Sequence, residues 1–197
     1  MDNQGRSWVR GILAYLGELI KVVVISLAII LPIRYFLVQP FYVKGASMEP
    51  NFYDHEYLVI DELSYRLHNP ARGEIVVFRY PKDPSQFFIK RIIGLPGETV
   101  IVNNAEIKIV NEKNSEGVDM VEPYIEKGNF SFNSGTTKLG ADEYFVMGDN
   151  RRSSLDSRIF GALPRQMIIG RVWLRGWPLE RVARFVAPEY GIDGGGI

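Results

Sequence analysis

The sequence contains no cysteine among its 197 residues. Thiol nucleophiles, disulfides and thiolate-held metals are therefore excluded together. The compartment stays open, because exported domains can also lack cysteine. Histidine is nearly missing: His55 and His68 are the only two. They cannot build a three-histidine zinc site, and neither stands in an HExxH spacing. A Ser-His-Asp triad is arithmetically possible but has no local motif behind it. Both histidines read as surface or loop residues, and no metal or cofactor is expected. An excess of one charge is also lacking, since 23 Lys and Arg balance 23 Asp and Glu. That balance argues against a nucleic-acid partner, which usually leaves a basic surplus. What is present is apolar content, 46% of residues, enough to build a core. The length suits one domain with an anchor, or two small domains.

Residues 22–33, VVVISLAIILPI, carry no charge, and the apolar stretch around them runs from Ile12 to Val38, broken by Glu18, Lys21 and Arg34. A spanning helix needs about 20 mostly apolar residues. Lys21 and Arg34 lie near opposite ends, where long basic side chains reach the headgroups. Trp8, Tyr15, Tyr35 and Phe36 flank the stretch at interface depth, and Pro40 is expected at or just past the helix end. No small-x-small cleavage site follows closely, which disfavours a removed signal peptide. A buried core helix is compatible with the Val/Ile content, but a segment apolar nearly all round favours a membrane span. Arg6, Arg10 and Lys21 place the N-terminus on the cytoplasmic side, with Arg34 and Lys44 weakening the bias.

After Pro40 short β-rich runs alternate with Gly and Pro. The runs are Tyr57 to Ile60, Glu74 to Arg79, Phe87 to Ile93, Thr99 to Val102, Glu106 to Val110, Glu143 to Met147 and Ile168 to Leu174. This pattern predicts a mainly β, antiparallel domain of sandwich or barrel type. A weak helical period occurs only near Arg181 to Phe185. Residues 103–140, rich in Asn, Glu, Lys, Gly and Ser, read as an inserted hairpin or small subdomain. The expected organisation is an anchor over 1–38, a β domain over 39–102 and 141–187, the insertion between them, and a flexible Gly-rich tail over 188–197.

Three segments carry candidate chemistry. The first is Gly45-Ala46-Ser47-Met48-Glu49-Pro50, where an extended run ends in small residues and a serine. Such a site offers a nucleophile and a strand edge to a peptide, although a serine in a turn is more often structural. In the second, Phe87 to Glu98, strand alternation puts Phe88, Lys90 and Ile92 on one face. An apolar row disfavours the ammonium and prepares Lys90 to act as a base. A strand lysine that blunts aggregation is the competing reading. The third, Gly148 to Arg158, packs acidic, basic and hydroxyl groups between apolar flanks. There Asp156 and Arg158 can pair, and a serine hydroxyl can orient a lysine amine. A solvated turn opened by Asp149-Asn150 is the alternative.

Together, and in this order behind an apolar N-terminal segment, the three resemble type I signal peptidase. The boxes are Ser47-Met48-Glu49-Pro50; Lys90-Arg91 with Gly94, Pro96 and Gly97; and Gly148-Asp149-Asn150 through Ser154, Asp156-Ser157-Arg158 and Gly161. The similarity extends to the closing VWLRGWPLERV and covers most of the chain. The resemblance implies an all-β core with Ser47 as nucleophile and Lys90 as general base. It implies that Ser154 positions the amine, that Asp156 and Arg158 form a supporting ion pair, and that Asp149 belongs to the same network. It further implies cleavage of exported preproteins after small-x-small residues, at the outer face of the bacterial cytoplasmic membrane, with lipid as the other partner. On that reading Val43, Met48, Phe52, Phe88 and Ile89 line shallow pockets for small substrate side chains. Two positions depart from the pattern. Gly45 stands where some members carry a hydroxyl that helps hold the oxyanion, and Asn51 stands where Thr is common, with little consequence expected. A self-cleaving Ser/Lys protein of the repressor type is disfavoured by the apolar N-terminal segment. An anchored β scaffold that binds exported chains without cutting them is the non-enzymatic alternative.

Overall fold

The computed structural model describes residues 3–32, 38–104, 106–129, 134–188, 190 and 192. It forms two units, Met1–Gln39 and Pro40–Ile197. The first contains helix α1 (Asn3–Pro32). Over Gly11–Leu31 its mean hydropathy is 2.2, and every side chain there is exposed. Apart from Glu18 and Lys21 the span carries no charge, so the helix has no broad polar face to turn toward water. The helix is long and apolar enough to cross a membrane. The helix is described as far as Pro32, Arg34 to Phe36 lie outside the described residues, and Val38 already belongs to strand β1 (Val38–Tyr42). Pro40 thus sits inside a strand rather than at a helix end. It is tolerated because β1 is an edge strand.

The second unit is mainly antiparallel β, as the alternation of short apolar runs and turns predicts. The larger sheet contains β1, β2 (Tyr57–Asp61), β3 (Ile75–Tyr80), β4 (Asp83–Gly94), β9 (Glu143–Met147), β10 (Leu163–Pro164), β11 (Ile168–Trp177) and β12 (Ala183–Arg184). Its order is β1-β2-β11-β3-β4-β9-β10, with β12 beside β11. The smaller sheet is β7-β6-β5-β8, formed by β5 (Thr99–Asn103), β6 (Glu106–Val110), β7 (Val118–Asp119) and β8 (Gly135–Lys138). It takes β5 from the run ahead of residue 103, so the subdomain begins before the polar stretch does. Two single helical turns, α2 (Ser64–Leu67) and α3 (Ser157–Phe160), complete the unit. The weak helical period near Arg181 resolves into a 3-10 turn, Leu179–Arg181, and strand β12, because pairing with β11 claims the backbone there. Ile192 is buried with Ile93, Val100 and Phe145.

The core explains why β3 reads as the unbroken apolar run IVVF. Ile75 and Val77 enter one cluster with Val43, Met48, Phe52 and Leu58. Val76 and Phe78 enter another with Ile92, Tyr144 and Val146. A strand covered on both faces cannot alternate apolar with polar residues. Trp173 and Trp177, whose environment the sequence left open, are respectively 39% and 52% exposed and do not belong to the core.

The link from β4 to β5 is pinned by a buried ion pair. Arg72 Nη2 donates to Glu98 Oε1 at 2.8 Å, and Arg72 Nη1 donates to Glu98 Oε2 at 2.9 Å and to Ile93 O at 2.6 Å. Glu98 also accepts from Leu95 N and Asn111 Nδ2. Removing one partner leaves the other charge buried and poorly compensated. Glu98→Ala is expected to destabilise the fold by about 3–5 kcal/mol in urea unfolding. The double change Arg72→Met with Glu98→Leu is expected to cost less than Glu98→Ala alone.

Candidate active site

Ser47 lies in the loop after β1, which is held from two sides. Gly45 N donates to Asp54 Oδ1 at 2.9 Å. On the other side, Asn150 N donates to Ser47 O at 3.0 Å and Asn150 Nδ2 donates to Ala46 O at 3.1 Å. Gly45 has φ +90°, a region that favours glycine. This gives a backbone reason for the missing hydroxyl side chain at that position. Gly148 is required by close approach. A Cβ there would collide with the Ser47 carbonyl oxygen and the Ser154 hydroxyl.

Lys90 reaches the loop from the middle of β4, opposite Val76 of β3. Its Nζ donates to Ser47 Oγ at 2.6 Å and to Ile89 O at 2.7 Å, and lies 5.5 Å from the centre of the Phe88 ring. The residue is 4% exposed. Burial lowers its pKa from 10.5 to about 8, opposed by the charges of Asp156 and Asp149 and aided by that of Arg158.

Two buried ion pairs flank the amine. Arg91 Nε and Nη2 donate to the two oxygens of Asp149 at 2.9 and 2.7 Å, while Arg91 Nη1 donates to Gly73 O. Arg158 Nε and Nη2 donate to the two oxygens of Asp156 at 2.7 and 2.6 Å. Asp156 Oδ2 also accepts from Gly148 N, and its side chain caps α3 by accepting from Arg158 N. These two-pronged bonds fix both planes. The structure therefore brings Ser47 and Lys90 into contact and sets Asp149, Asp156 and Arg158 in pairs around them.

Ser154 behaves differently. Its hydroxyl is buried without a hydrogen-bond partner among the described residues, and Lys90 Nζ instead bonds to Ser47 and Ile89. Asn51 is not the inert departure it looked in the sequence. Its Nδ2 donates to Asp149 Oδ2 at 2.8 Å and to Tyr124 O at 3.1 Å. Threonine, with one hydroxyl proton, could not make both bonds. His55, exposed and paired with Asp54, stands on the surface. Among the described residues, no three His, Cys, Asp or Glu side chains cluster as metal ligands would.

Beside Ser47 and Lys90 opens a cleft of about 400 Å³. Val43, Phe88 and Ile89 are among the residues that line it. Met48 and Phe52 do not line it. They are respectively 1% and 0% exposed, because both turn inward to fill the cluster of Leu58, Ile60 and Val172. The lining residues that the sequence reading missed include Phe41, Tyr42 and Leu155. Leu155 was hidden in a loop read for its charges, whereas Phe41 and Tyr42 belong to a short run broken by Pro40. The cleft has a strand on each side. On one side is β1, at the edge of the sheet; on the other is β4, whose residues before Arg91 pair with β3 alone among the described strands. The ring centres of Phe41 and Phe87 approach to 5.7 Å, so the two strands converge without pairing. Unpaired backbone on both walls suits an extended peptide laid between them.

Comparison with known proteins identifies the family. The family model described as signal peptidase, peptidase S26, matches residues 16–177. The probable signal peptidase I-2 of Synechocystis is 37% identical over 170 residues, 84% of this chain and 75% of that protein. The signal peptidase I of Leptolyngbya laminosa is 37% identical over 180 residues, covering 88% and 85%. A signal peptidase I P of Bacillus subtilis subsp. natto is 37% identical over 147 residues, covering 70% and 75%. Among solved structures, a signal peptidase I from Enterococcus faecalis is 30% identical and covers 53% of this chain and 97% of its own, with a TM-score of 0.45. With a match across most of the chain and several relatives above 30% identity, the chain belongs to the signal peptidase family, peptidase S26, and is a hydrolase of that family.

Proposed function

We propose that this chain is a membrane-anchored serine endopeptidase that removes signal peptides from exported preproteins, with Ser47 as nucleophile and Lys90 as general base. The observation that carries the reading is the 2.6 Å contact between Lys90 Nζ and Ser47 Oγ inside a buried, largely apolar setting. An amine with a pKa lowered to about 8 is neutral in about a tenth of molecules at pH 7, enough to accept a proton within hydrogen-bond reach.

The steps follow from that contact. The preprotein segment lies extended between β1 and β4, and its small side chains enter the shallow cleft over Val43, Phe88 and Ile89. Large side chains are rejected by steric cost, which gives a small-x-small rule. Ser47 Oγ attacks the scissile carbonyl carbon as its proton passes to Lys90 Nζ. The Ser47 backbone N–H faces the developing oxyanion, since Gly45 has no side chain to help. Lys90 then protonates the leaving amine, the C–N bond breaks, and the signal peptide remains as an ester on Ser47. Lys90 next takes a proton from water as the water oxygen attacks the ester, and returns that proton to Ser47 Oγ as the Oγ–C bond breaks and the signal peptide leaves as a carboxylic acid. The otherwise unpartnered Ser154 hydroxyl offers the amine a bond while Ser47 Oγ is acylated. Helix α1 holds the enzyme in the bacterial cytoplasmic membrane with its N-terminus inside. This keeps enzyme and membrane-held substrate in one layer and raises their effective concentration.

Ser47→Ala and Lys90→Met are each expected to lower preprotein cleavage by more than about a thousandfold while circular dichroism and melting stay near the parent. Substantial cleavage by either folded variant would reject the dyad. The base works only when unprotonated, so log kcat/KM should rise with unit slope up to about pH 8 and level off above it. A profile flat from pH 6 to 9 counts against a titrating amine. Gly148→Ala moves the Ser47 carbonyl, so kcat is expected to fall by about a hundredfold in single-turnover assays of the folded enzyme.

A further inference from the structure

The stretch from Met120 to Asn129, between β7 and β8, shares no residue with the three motifs, yet it touches all of them. Beside the serine box, Tyr124 O accepts from Asn51 Nδ2, whose other bond goes to Asp149 Oδ2. Beside the lysine box, the Tyr124 ring covers the Arg91 guanidinium, with its centre 3.8 Å from Cζ. At the third box, both Glu122 oxygens accept from Arg151, with Nη1 at 2.6 Å. Asn129 Nδ2 donates to Asp149 O at 2.8 Å. The stretch is also braced internally. Tyr124 OH donates to Glu122 Oε1 at 2.7 Å and accepts from Tyr190 OH at 3.1 Å. Burial, reinforced by Glu122, pushes the Tyr124 hydroxyl up and keeps it a neutral donor. The Glu122 and Arg151 side chains are 8% and 4% exposed, so this is an interior pairing rather than a surface one.

We infer that Glu122, Tyr124 and Asn129 are positioning residues of the Ser47/Lys90 site, acting through the turn Asp149-Asn150-Arg151. The turn is gripped on one side by Glu122 and Asn129, while Tyr124 reaches it through Asn51 and Arg91, both bonded to Asp149. On its other side, Asn150 bonds to the carbonyls of Ala46 and Ser47, and Asp149 holds Arg91, the neighbour of Lys90. One short turn thus carries the relative placement of nucleophile and base, and the insertion sets the turn. The inference rests on the Ser47/Lys90 reading above. A displacement of about 1 Å between reacting groups costs about a hundredfold in rate, so loosening the turn affects turnover before it affects substrate binding.

The test uses the full chain in detergent micelles with an Ala-x-Ala preprotein. Tyr124→Leu keeps apolar bulk but removes the flat face over Arg91. It is expected to lower kcat about tenfold or more with KM changed less than about twofold, at a temperature below its melting midpoint. Tyr124→Phe restores the ring and should recover most of the rate. The charges facing Lys90 are those of Asp149, Asp156 and Arg158. Loosening Arg91 exposes Lys90 more fully to Asp149 and to water, so the acid limb of kcat/KM moves to higher pH in Tyr124→Leu. If Tyr124→Leu does not fold, Glu122→Gln is read in the same way. A folded variant with parental kcat and an unmoved acid limb, alongside an inert Ser47→Ala, overturns the positioning role and leaves the dyad standing. Cleavage by Ser47→Ala overturns both.

Discussion

The buried contact between the Lys90 amine and the Ser47 hydroxyl is the constraint from which the rest of the site follows. An ammonium in an apolar setting is unfavourable, and that lowers the Lys90 pKa toward neutrality. The environment has to be dry enough to destabilise the charge, yet it must hold the amine within one hydrogen bond of the hydroxyl. The first requirement is met by Phe88 and the packed faces of β3 and β4, the second by the Ile89 carbonyl and the fixed loop around Ser47.

The charged residues nearby serve the same end. Arg91 with Asp149, Arg158 with Asp156, and Arg151 with Glu122 are matched in two-pronged buried pairs. Such pairs contribute little net stability against apolar substitutes, but breaking one is costly, which makes their geometry rigid. Here that rigidity holds three separate stretches of chain at one place. Asp149 receives the side chains of Arg91 and Asn51 and, through its carbonyl, that of Asn129.

Much of this was legible in the sequence because the signals are local. Strand periodicity placed β2, β3, β5, β6 and β9 within a residue or so, and the family resemblance carried by the three motifs implied that Ser47, Lys90, Asp149, Asp156 and Arg158 belong to one site. The misses share a cause. Met48 and Phe52 were read as cleft lining because they neighbour the serine, but a loop side chain turns wherever packing is available. Asn51 looked neutral because its two bonds run to Asp149 and Tyr124, distant in sequence. The stretch of residues 120–129 was read only as part of an inserted hairpin or small subdomain, since a Glu and a Tyr give no sign of the arginines that will meet them. The apolar anchor was read as far as Val38, which belongs to strand β1, because hydropathy alone does not distinguish an apolar strand from an apolar helix.

The sequence by itself determined what depends on neighbours along the chain: an apolar helix at the N-terminus, a mainly antiparallel β body, and the residue types that the chemistry requires. Only the tertiary structure decided what depends on residues far apart in sequence. It placed Lys90 Nζ 2.6 Å from Ser47 Oγ, turned Met48 and Phe52 into the core, and engaged the insertion with the turn at Asp149. The physical reason is that hydrophobic period and turn propensity act over a few residues. A lowered amine pKa and a matched ion pair, in contrast, exist only once packing has excluded water from groups that the chain keeps apart.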